Sequence, residues 1–292
     1  MSSIPTEQNK EKYLRMQYSA RVCYNFTEMI NELIWLFCIL GFIINNISSL
    51  ETILGDVLPF VSAGLTICIF IGGELLGSNA IKLGAAFRKY IDYNLFYLKA
   101  DNYCGYNESE LFDKSLYICD LRKKDSTVRM QNSGHDSIKG VRNWYIDIDS
   151  IEDKQQLIFE CQKQNSWFDR KISKVQQVAF GIILLFIILV LLIINRNQTI
   201  STIIISVLPA IPLIIKVIKE LLMYSKYNNL MSKMEFLINT TSNVTDERIM
   251  QIQKLIDERR SMNFVSINLI HNLFSIKLHE RHAKINNQKQ EP

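Results

Sequence analysis

Four stretches of the chain carry no charged residue and consist mainly of apolar side chains. They cover residues 33–50, 57–73, 175–195 and 197–215, and each is 17 to 21 residues long. Because an α-helix rises about 1.5 Å per residue, a stretch of this length extends roughly 25–30 Å, close to the thickness of the hydrocarbon core of a bilayer. The pattern therefore predicts four transmembrane helices, arranged as two hairpins.

The third stretch gives the clearest signal, because its segment VAFGIILLFIILVLLII contains no polar side chain. The first two stretches are weaker. Asn45 and Asn46 dilute the first, and Ser62 and Thr66 dilute the second. A buried core helix of a soluble protein is the alternative interpretation of such stretches, and it has more weight for the first than for the third and fourth.

The distribution of Lys and Arg predicts the orientation of the spans. The short connection between the third and fourth stretches carries Arg196 as its only charge, and the connection ETILGD between the first two carries two acids. The opposite side has thirteen basic residues near the span ends: Arg15, Arg21, Lys82, Arg88, Lys89, Lys163, Arg170, Lys171, Lys174, Lys216, Lys219, Lys226 and Lys233. Since Lys and Arg near spans favour the cytoplasmic side, both termini and the long central segment are predicted to be cytoplasmic.

The spans divide the chain into five predicted segments. These are a cytoplasmic amphipathic N-terminal segment (1–28), a first transmembrane hairpin (29–77), a cytoplasmic domain (78–174), a second transmembrane hairpin (175–217) and a cytoplasmic helical tail (218–292). Apolar residues recur at helical spacing in the tail, as at Ile249, Ile252 and Ile256, and in the central segment on both sides of a glycine-containing loop. The predicted fold class is an all-α integral membrane protein with a mainly helical cytoplasmic domain and a helical C-terminal tail.

The composition and the absence of known catalytic motifs restrict the classes of function that the chain is expected to have. The net charge of +4 suits a cytoplasmic membrane face better than a protein that binds a nucleic-acid polymer. The six cysteines form no CxxC pair and have no metal-ligand spacing with the four histidines, so free thiols and no metal or other cofactor are predicted. The motifs of serine hydrolases, phosphate loops and zinc proteases do not occur, and we assign no catalytic residue. The chain is predicted not to be an enzyme.

Four residues are candidates for a pore or its gate. Glu32 and Glu74 lie at the inner ends of the first two spans, where a charge either faces a cavity or reaches the interface. Pro209 and Pro212 interrupt the hydrogen-bond ladder of the fourth span and are expected to kink it. Four apolar spans without charged residues do not form an obvious channel within one chain, so a pore would require a homo-oligomer.

Seven residues in the cytoplasmic domain form the densest group of basic and aromatic side chains. Arginine supplies fixed charge and paired donors for phosphate, and aromatic rings supply flat faces for a base. A juxtamembrane aromatic and basic belt, or a packed core, is the alternative interpretation. The ligand-binding candidates are Arg142, Trp144, Tyr145, Lys163, Trp167, Arg170 and Lys171.

The segments VRNWYIDIDS (141–150) and CQKQNSWFDRKI (161–172) resemble a bacterial family of SMODS-associated four-transmembrane, pore-forming effectors. That family has an Asn-Trp-Tyr motif, an acidic run, then Cys-Gln and Trp-x-Asp before the third span. The segments EQNKEKYLRMQYSAR (7–21) and YIDYNLFYL (90–98) are similar to its corresponding regions, and the order of hairpins, central domain and tail also matches.

The resemblance implies an antiviral-defence effector of the bacterial inner membrane that permeabilises the bilayer as an oligomer when it binds a cyclic oligonucleotide. Its partners would then be the lipid bilayer, the nucleotide and further copies of the chain. A membrane-anchored scaffold or receptor with inert spans that recruits a cytoplasmic protein is the alternative. A small-solute transporter has less support, because the two hairpins share little sequence and no charged residue lies at mid-membrane.

Overall fold

The computed structural model describes residues 4–44, 57–100, 102–134, 136–145, 151–166, 169–194, 196–197, 199, 203, 207–241 and 243–262, with the side chains of 166, 169–176 and 194 left out of the description. The regular secondary structure of these residues is helical. The helices are α1 (Ile4–Glu7), α2 (Glu11–Ile44), α3 (Leu58–Leu95), α4 (Glu108–Leu121), α5 (Lys123–Gln131), α6 (Lys154–Ser166), α7 (Asp169–Ile194), α8 (Ile211–Asn239) and α9 (Asp246–Ser261), with a 3-10 turn at Leu208–Ala210. The prediction of an all-α chain is confirmed.

Helices α2 and α3 are each long and apolar enough to cross a membrane. They contain 34 and 38 residues, which correspond to roughly 50–57 Å at 1.5 Å per residue. A hydrocarbon core takes about 30 Å of that length, so each helix extends well beyond its apolar part. Helix α7 contains the shorter apolar run Gln177–Ile193. Within the fourth predicted span, 197–215, residues 198, 200–202 and 204–206 fall outside the described residues, and helix α8 begins at Ile211.

The chain divides into two compact units. Unit 1 contains the described residues of 1–30, 74–167 and 230–263, and unit 2 those of 31–73 and 168–229. Helices α2, α3 and α8 each contribute residues to both units. The proposed boundaries of the five segments remain predictions.

Unit 1 has a core formed by helices that are distant in sequence. Along α2, Met16, Ala20 and Cys23 are buried at helical spacing, and they belong to the same apolar cluster as Phe87 and Ile91 of α3. This cluster also includes Leu111 of α4, Ile158 and Cys161 of α6, and Ile249 of α9. Burial of these side chains holds together the elements that carry the polar residues of the unit.

Unit 2 contains a column of aromatic contacts and one close approach of two helices. Trp35 stacks on Phe180 with ring centroids 5.4 Å apart, and Phe180 packs on Tyr224 at 5.3 Å. A Cβ atom added to Gly41 of α2 would lie 2.7 Å from the Thr66 hydroxyl oxygen of α3, so these helices touch where Gly41 has no side chain.

The outer surface of α7 is strongly apolar. Large side chains that are more than half exposed recur along it, namely Val178, Ile182, Leu185, Phe186, Leu189, Leu192 and Ile193. An aqueous surface rarely carries an apolar patch of this extent, whereas lipid tails would cover it without cost. The exposed apolar surface supports placing α7 in a bilayer.

Candidate functional site

The loop that carries Arg142, Trp144 and Tyr145 is fixed by hydrogen bonds to the end of α5. The backbone amides of Gly140, Val141 and Arg142 donate to the carbonyl oxygens of Ser133, Arg129 and Asn132 at 2.7, 2.9 and 2.9 Å. These bonds satisfy carbonyl groups that the end of a helix leaves without partners. The loop is therefore held firmly against α5.

Gly140 is required by this arrangement. A Cβ atom at this position would lie 1.9 Å from the Asn132 carbonyl oxygen and 2.5 Å from that of Arg129. Both atoms belong to backbone, which cannot move aside as the end of a flexible side chain could. The glycine thus permits the close approach that positions the following Arg-Asn-Trp-Tyr segment.

Trp144 lies between a buried cation and solvent. The guanidinium carbon of Arg88, on α3, is 4.1 Å from the centroid of the Trp144 ring, within the range of a cation–π contact. The Trp144 residue is nevertheless 43% exposed. Arg142, two positions earlier, is exposed as well. An exposed indole beside an exposed guanidinium offers a stacking surface and a phosphate donor, which is the chemistry predicted for these two residues.

Tyr145 is buried and belongs to a network of polar groups inside unit 1. Its backbone amide and carbonyl both bond to the Gln8 side chain, at 2.8 and 3.0 Å. Its hydroxyl donates to Asp92 at 3.0 Å and accepts from the Asn165 amide at 3.1 Å. These contacts attach the loop to α3 and α6. Because Tyr145 is buried, it would contribute to ligand binding by holding the loop in position.

The centre of the network is an ion pair between α3 and α9. The Arg260 guanidinium lies 2.6 Å from the Asp92 carboxylate, and Gln253 donates to the same carboxylate at 3.2 Å. Asp257 accepts from Gln253 at 3.0 Å. Burial raises the pKa of Asp257, against the opposing effect of Arg260. The side chains of Arg260, Asp92, Gln253 and Asp257 therefore form one enclosed group, in which each is hydrogen-bonded or ion-paired to another member.

Arg88 has a different environment from Arg260. It is buried, it donates to the Gln17 side-chain oxygen, and no carboxylate within ion-pair distance of it occurs in the described part of the chain. Burial, and then the charge of Arg260, lower the pKa of Arg88 to about 10. The Tyr24 hydroxyl oxygen is buried without a hydrogen-bond partner among the described atoms. Burial raises the pKa of Tyr24, and the charges of Arg260 and Arg88 oppose this shift. A buried cation without an ion-pair partner among the described residues thus lies beside Trp144.

The remaining predicted ligand residues are distributed differently. The Lys163 ammonium pairs with Glu160, three residues earlier on α6, at 2.9 Å. Trp167 lies outside the described residues, and Arg170 and Lys171 are described only as part of the backbone of α7. The structure brings Arg142, Trp144 and Tyr145 together on one loop, and the ligand assignment of all seven residues remains a prediction.

A basic cleft in unit 1 was missed by the sequence reasoning. It has a volume of about 570 Å³ and lies between α2 and the junction of α4 with α5. Its lining contains five cationic and two acidic residues, namely Arg21, Arg122, Lys123, Lys124 and Arg129, with Asp120 and Asp125. The run Arg-Lys-Lys at 122–124 was a visible signal, but only packing brings it opposite Arg21.

The predicted gate residues lie on several elements. Glu32 is exposed on α2 and Glu74 is half-buried on α3. Pro209 lies in the 3-10 turn and Pro212 in the first turn of α8, where a missing amide hydrogen costs no helical hydrogen bond. The prolines therefore begin a helix here, and their role in a gate remains a prediction.

Unit 2 encloses an ion pair that was not singled out from the sequence. The Lys216 ammonium lies 2.8 Å from the Glu220 carboxylate, and the two side chains are only 1% and 9% exposed. Lys216 also donates to the Asn31 side-chain oxygen and lies 5.9 Å from the centroid of the Trp35 ring. Lys216 had been counted among basic residues at the cytoplasmic end of a span. Its burial among apolar helices makes it a candidate functional group.

In the ranges that the structure describes, no group of three or more His, Cys, Asp or Glu side chains could hold a metal ion. The cysteines of these ranges are free. Burial raises the pKa of Cys23 to about 12, so this thiol stays protonated and unreactive at neutral pH.

Two span-capable helices and the exposed apolar surface of α7 indicate a helical membrane protein. Comparison with models of protein families identifies the family of the chain. The model of the SMODS-associating 4TM effector domain matches residues 2–288, and the chain belongs to that family. The resemblance seen in the sequence is thereby confirmed. Comparisons with curated proteins and with solved structures found no match.

Proposed function

We propose that the chain is an antiviral-defence effector that permeabilises the bacterial inner membrane, as an oligomeric pore that a cyclic oligonucleotide opens. Family membership supports the effector role, since the family is described as a SMODS-associating effector domain. The orientation proposed for it has four spans, with both termini and unit 1 on the cytoplasmic side, where a second messenger is available.

The observation that carries the pore proposal is the buried pair Lys216–Glu220. A buried ion pair contributes little net stability, and apolar replacements of similar volume are often neutral or stabilising. Its presence among apolar helices is therefore better explained by function than by folding. In the proposed mechanism the pair is enclosed in the resting protein and meets water when subunits rearrange around a conducting path.

The ligand side of the proposal uses unit 1. Arg142 and Trp144 supply an exposed guanidinium and an exposed indole on a loop held by α5. A nucleotide opens the pore only if it binds the conducting arrangement more tightly than the resting one. Helices α2, α3 and α8 contribute residues to both units. A conformational change in unit 1 is therefore transmitted along these continuous helices to the residues of unit 2.

Leakage of a fluorescent dye from liposomes tests the proposal. Liposomes carrying the purified full-length chain should release dye when cyclic di- or trinucleotides are added. The double variant Lys216→Met/Glu220→Leu should lose this release, and the exchanged pair Lys216→Glu/Glu220→Lys should retain part of it. Absence of ligand-dependent leakage from the wild type with every nucleotide tried would overturn the proposal and favour the scaffold alternative.

Topology is tested separately. In a background with Cys68→Ser and Cys104→Ser, a thiol label at an Asn102→Cys variant, which lies in the exposed loop after α3, should react only when the membrane of intact cells has been opened. Labelling from outside intact cells would place unit 1 on the wrong side for a cytoplasmic messenger.

A further inference from the structure

The basic cleft of unit 1 concentrates positive charge that the described side chains do not neutralise. Arg21 and Arg129 donate to the same oxygen, the Lys139 carbonyl, at 2.9 and 2.8 Å, so their guanidinium groups are neighbours. Arg129 has a carboxylate partner, Asp125, at 2.7 Å, whereas the hydrogen bonds of Arg21 in the described part of the chain go to backbone carbonyls. Like charges in contact repel each other, and an anion between them would remove that cost.

The other three cations of the cleft are exposed at the start of α5. Arg122, Lys123 and Lys124 make no side-chain hydrogen bond or ion pair within the described part of the chain. Their position is electrostatically unfavourable, because the first turn of a helix already carries partial positive charge. The N-cap residue Arg122 offers no side-chain acceptor to the first amides of α5. The local sequence is thus poor for helix stability and well suited to an anionic ligand.

The two acids of the cleft do not cancel this charge. Asp125 is already engaged, since it accepts from Tyr18 at 2.8 Å and from Arg129. Burial opposes the effect, but hydrogen bonds from Tyr18 and Arg129 lower the pKa of Asp125, which is therefore ionised at neutral pH. Asp120, the second acid of the cleft lining, is exposed and is outnumbered by the remaining four cations.

We propose that this cleft binds the phosphate groups of a soluble phosphodiester ligand, with Arg21, Lys123 and Lys124 as the principal phosphate contacts. This inference rests on the proposed function, because it identifies where the activating cyclic oligonucleotide would place its phosphates. A cleft of about 570 Å³ is within the range of roughly 300–1,000 Å³ that small-molecule sites occupy. Guanidinium and ammonium groups are the usual protein partners of phosphate.

Two arginines of the cleft, Arg21 and Arg129, contact the loop that carries Arg142 and Trp144. Lys139 and Gly140, whose carbonyl oxygens accept from Arg21, directly precede the segment that carries Arg142 and Trp144. An anion that draws Arg21 away from these carbonyls would loosen the loop at its first residues. Ligand binding in the cleft is thereby linked to the position of Trp144.

Binding of fluorescently labelled cyclic di- and trinucleotides to the full-length chain in phosphatidylcholine nanodiscs tests the proposal. The double variant Lys123→Glu/Lys124→Glu should weaken binding at least tenfold, and inorganic pyrophosphate should compete for the wild-type site. Glutamate in a first helical turn favours the helix, so the variant is expected to fold. The matched control Lys99→Glu/Lys254→Glu reverses two exposed lysines outside the cleft and should bind within twofold of the wild type.

The outcomes separate this inference from the proposed function. If Lys123→Glu/Lys124→Glu binds and leaks like the wild type, the cleft is not the site and the proposed function stands. If the wild type binds the probe with this dependence on charge but never leaks, the cleft proposal stands and the proposed function fails. If no soluble probe binds, and the variant differs only in its retention on vesicles containing phosphatidylglycerol, the cleft recognises lipid headgroups and the proposal is overturned.

Discussion

Arg260 of α9 and Asp92 of α3 form an ion pair at 2.6 Å in which the side chains are only 8% and 2% exposed. The pair joins helices that lie far apart in the sequence, and Tyr145 and Gln253 complete the coordination of the carboxylate. Because Asp92 also holds the Tyr145 hydroxyl, this single carboxylate connects α9 to the loop that carries Trp144.

Breaking this pair should destabilise the protein strongly. Arg260→Ala leaves the Asp92 charge buried without its partner, a change that typically costs about 3–5 kcal/mol. The midpoint of thermal unfolding in detergent should fall markedly. The exposed pair Arg15–Glu11 provides the control, because removing a surface pair with Glu11→Ala costs at most about 1 kcal/mol. Equal effects of the two substitutions would contradict the structural role assigned to Asp92.

Gly140 should tolerate no side chain. Gly140→Ala places a Cβ atom against the backbone oxygens of Asn132 and Arg129, and overpacking of this kind costs about 1–3 kcal/mol. We expect a lower thermal midpoint and loss of the nucleotide response, since the loop would separate from α5. Gly134→Ala is the control, because nothing lies within 4 Å of a Cβ atom there. A wild-type response in Gly140→Ala would show that the docked loop is not needed.

Replacing Arg142 should impair the response to the nucleotide and leave folding unchanged. Its side chain is exposed, and the described contacts of the residue are made by its backbone. Arg142→Ala should therefore abolish nucleotide-dependent leakage while leaving membrane abundance unchanged. Lys139→Ala removes another exposed cation of the same loop and should keep at least half of the response. A collapse in the abundance of Arg142→Ala would indicate a structural role instead.

The approach of α2 to α3 in unit 2 should depend on Gly41. Gly41→Leu forces a side chain into the position of the Thr66 hydroxyl and should cost about 1–3 kcal/mol, measured as a lower thermal midpoint in detergent. Gly64→Leu is the matched control, since a Cβ atom at Gly64 meets nothing within 4 Å. If the two variants unfold at the same temperature, the helices do not pack at Gly41.

Stability should change with pH through Asp257. Burial raises the pKa of this carboxyl above its ordinary value of 3.8. A group with a raised pKa in the folded state contributes stability that is present below the unfolded pKa and is lost as pH rises through the folded pKa. The variant Asp257→Asn, which cannot ionise, should therefore gain in thermal midpoint relative to the wild type between pH 4 and pH 7. A difference that stays constant, or moves the other way, would contradict the raised pKa.

The predicted helical fold follows from local pattern. Apolar runs without charge and helical spacing such as Ile249, Ile252 and Ile256 are properties of neighbouring residues. Helices occupy the described parts of the first three apolar stretches and the predicted tail segment, whereas in the fourth stretch, 197–215, helix α8 begins at Ile211. The likeness to a four-span effector family was also visible in short motifs, and the family match over residues 2–288 confirms it.

The candidate sites were predicted only in part. Arg142 and Trp144 stood out because they are close in sequence and differ from their surroundings. The basic cleft joins α2 to α5, and the Lys216 pair reaches Asn31 on another helix, so no local pattern contains either arrangement. Lys216 illustrates the difference, because from the sequence it is one more cation beside a span, whereas in the structure it is buried.

By itself, the sequence determined that the chain is helical, which stretches are apolar enough to suit lipid, and where along the chain Lys and Arg concentrate, since hydropathy and charge are summed along the chain. Only the tertiary structure decided that Arg260 meets Asp92, that Arg88 packs against Trp144, and that Arg21 and Arg129 share one carbonyl oxygen. The physical reason is that these contacts act over a few ångströms between helices that are distant in sequence. Their energy depends on which helical faces pack together, and that is a property of the whole core.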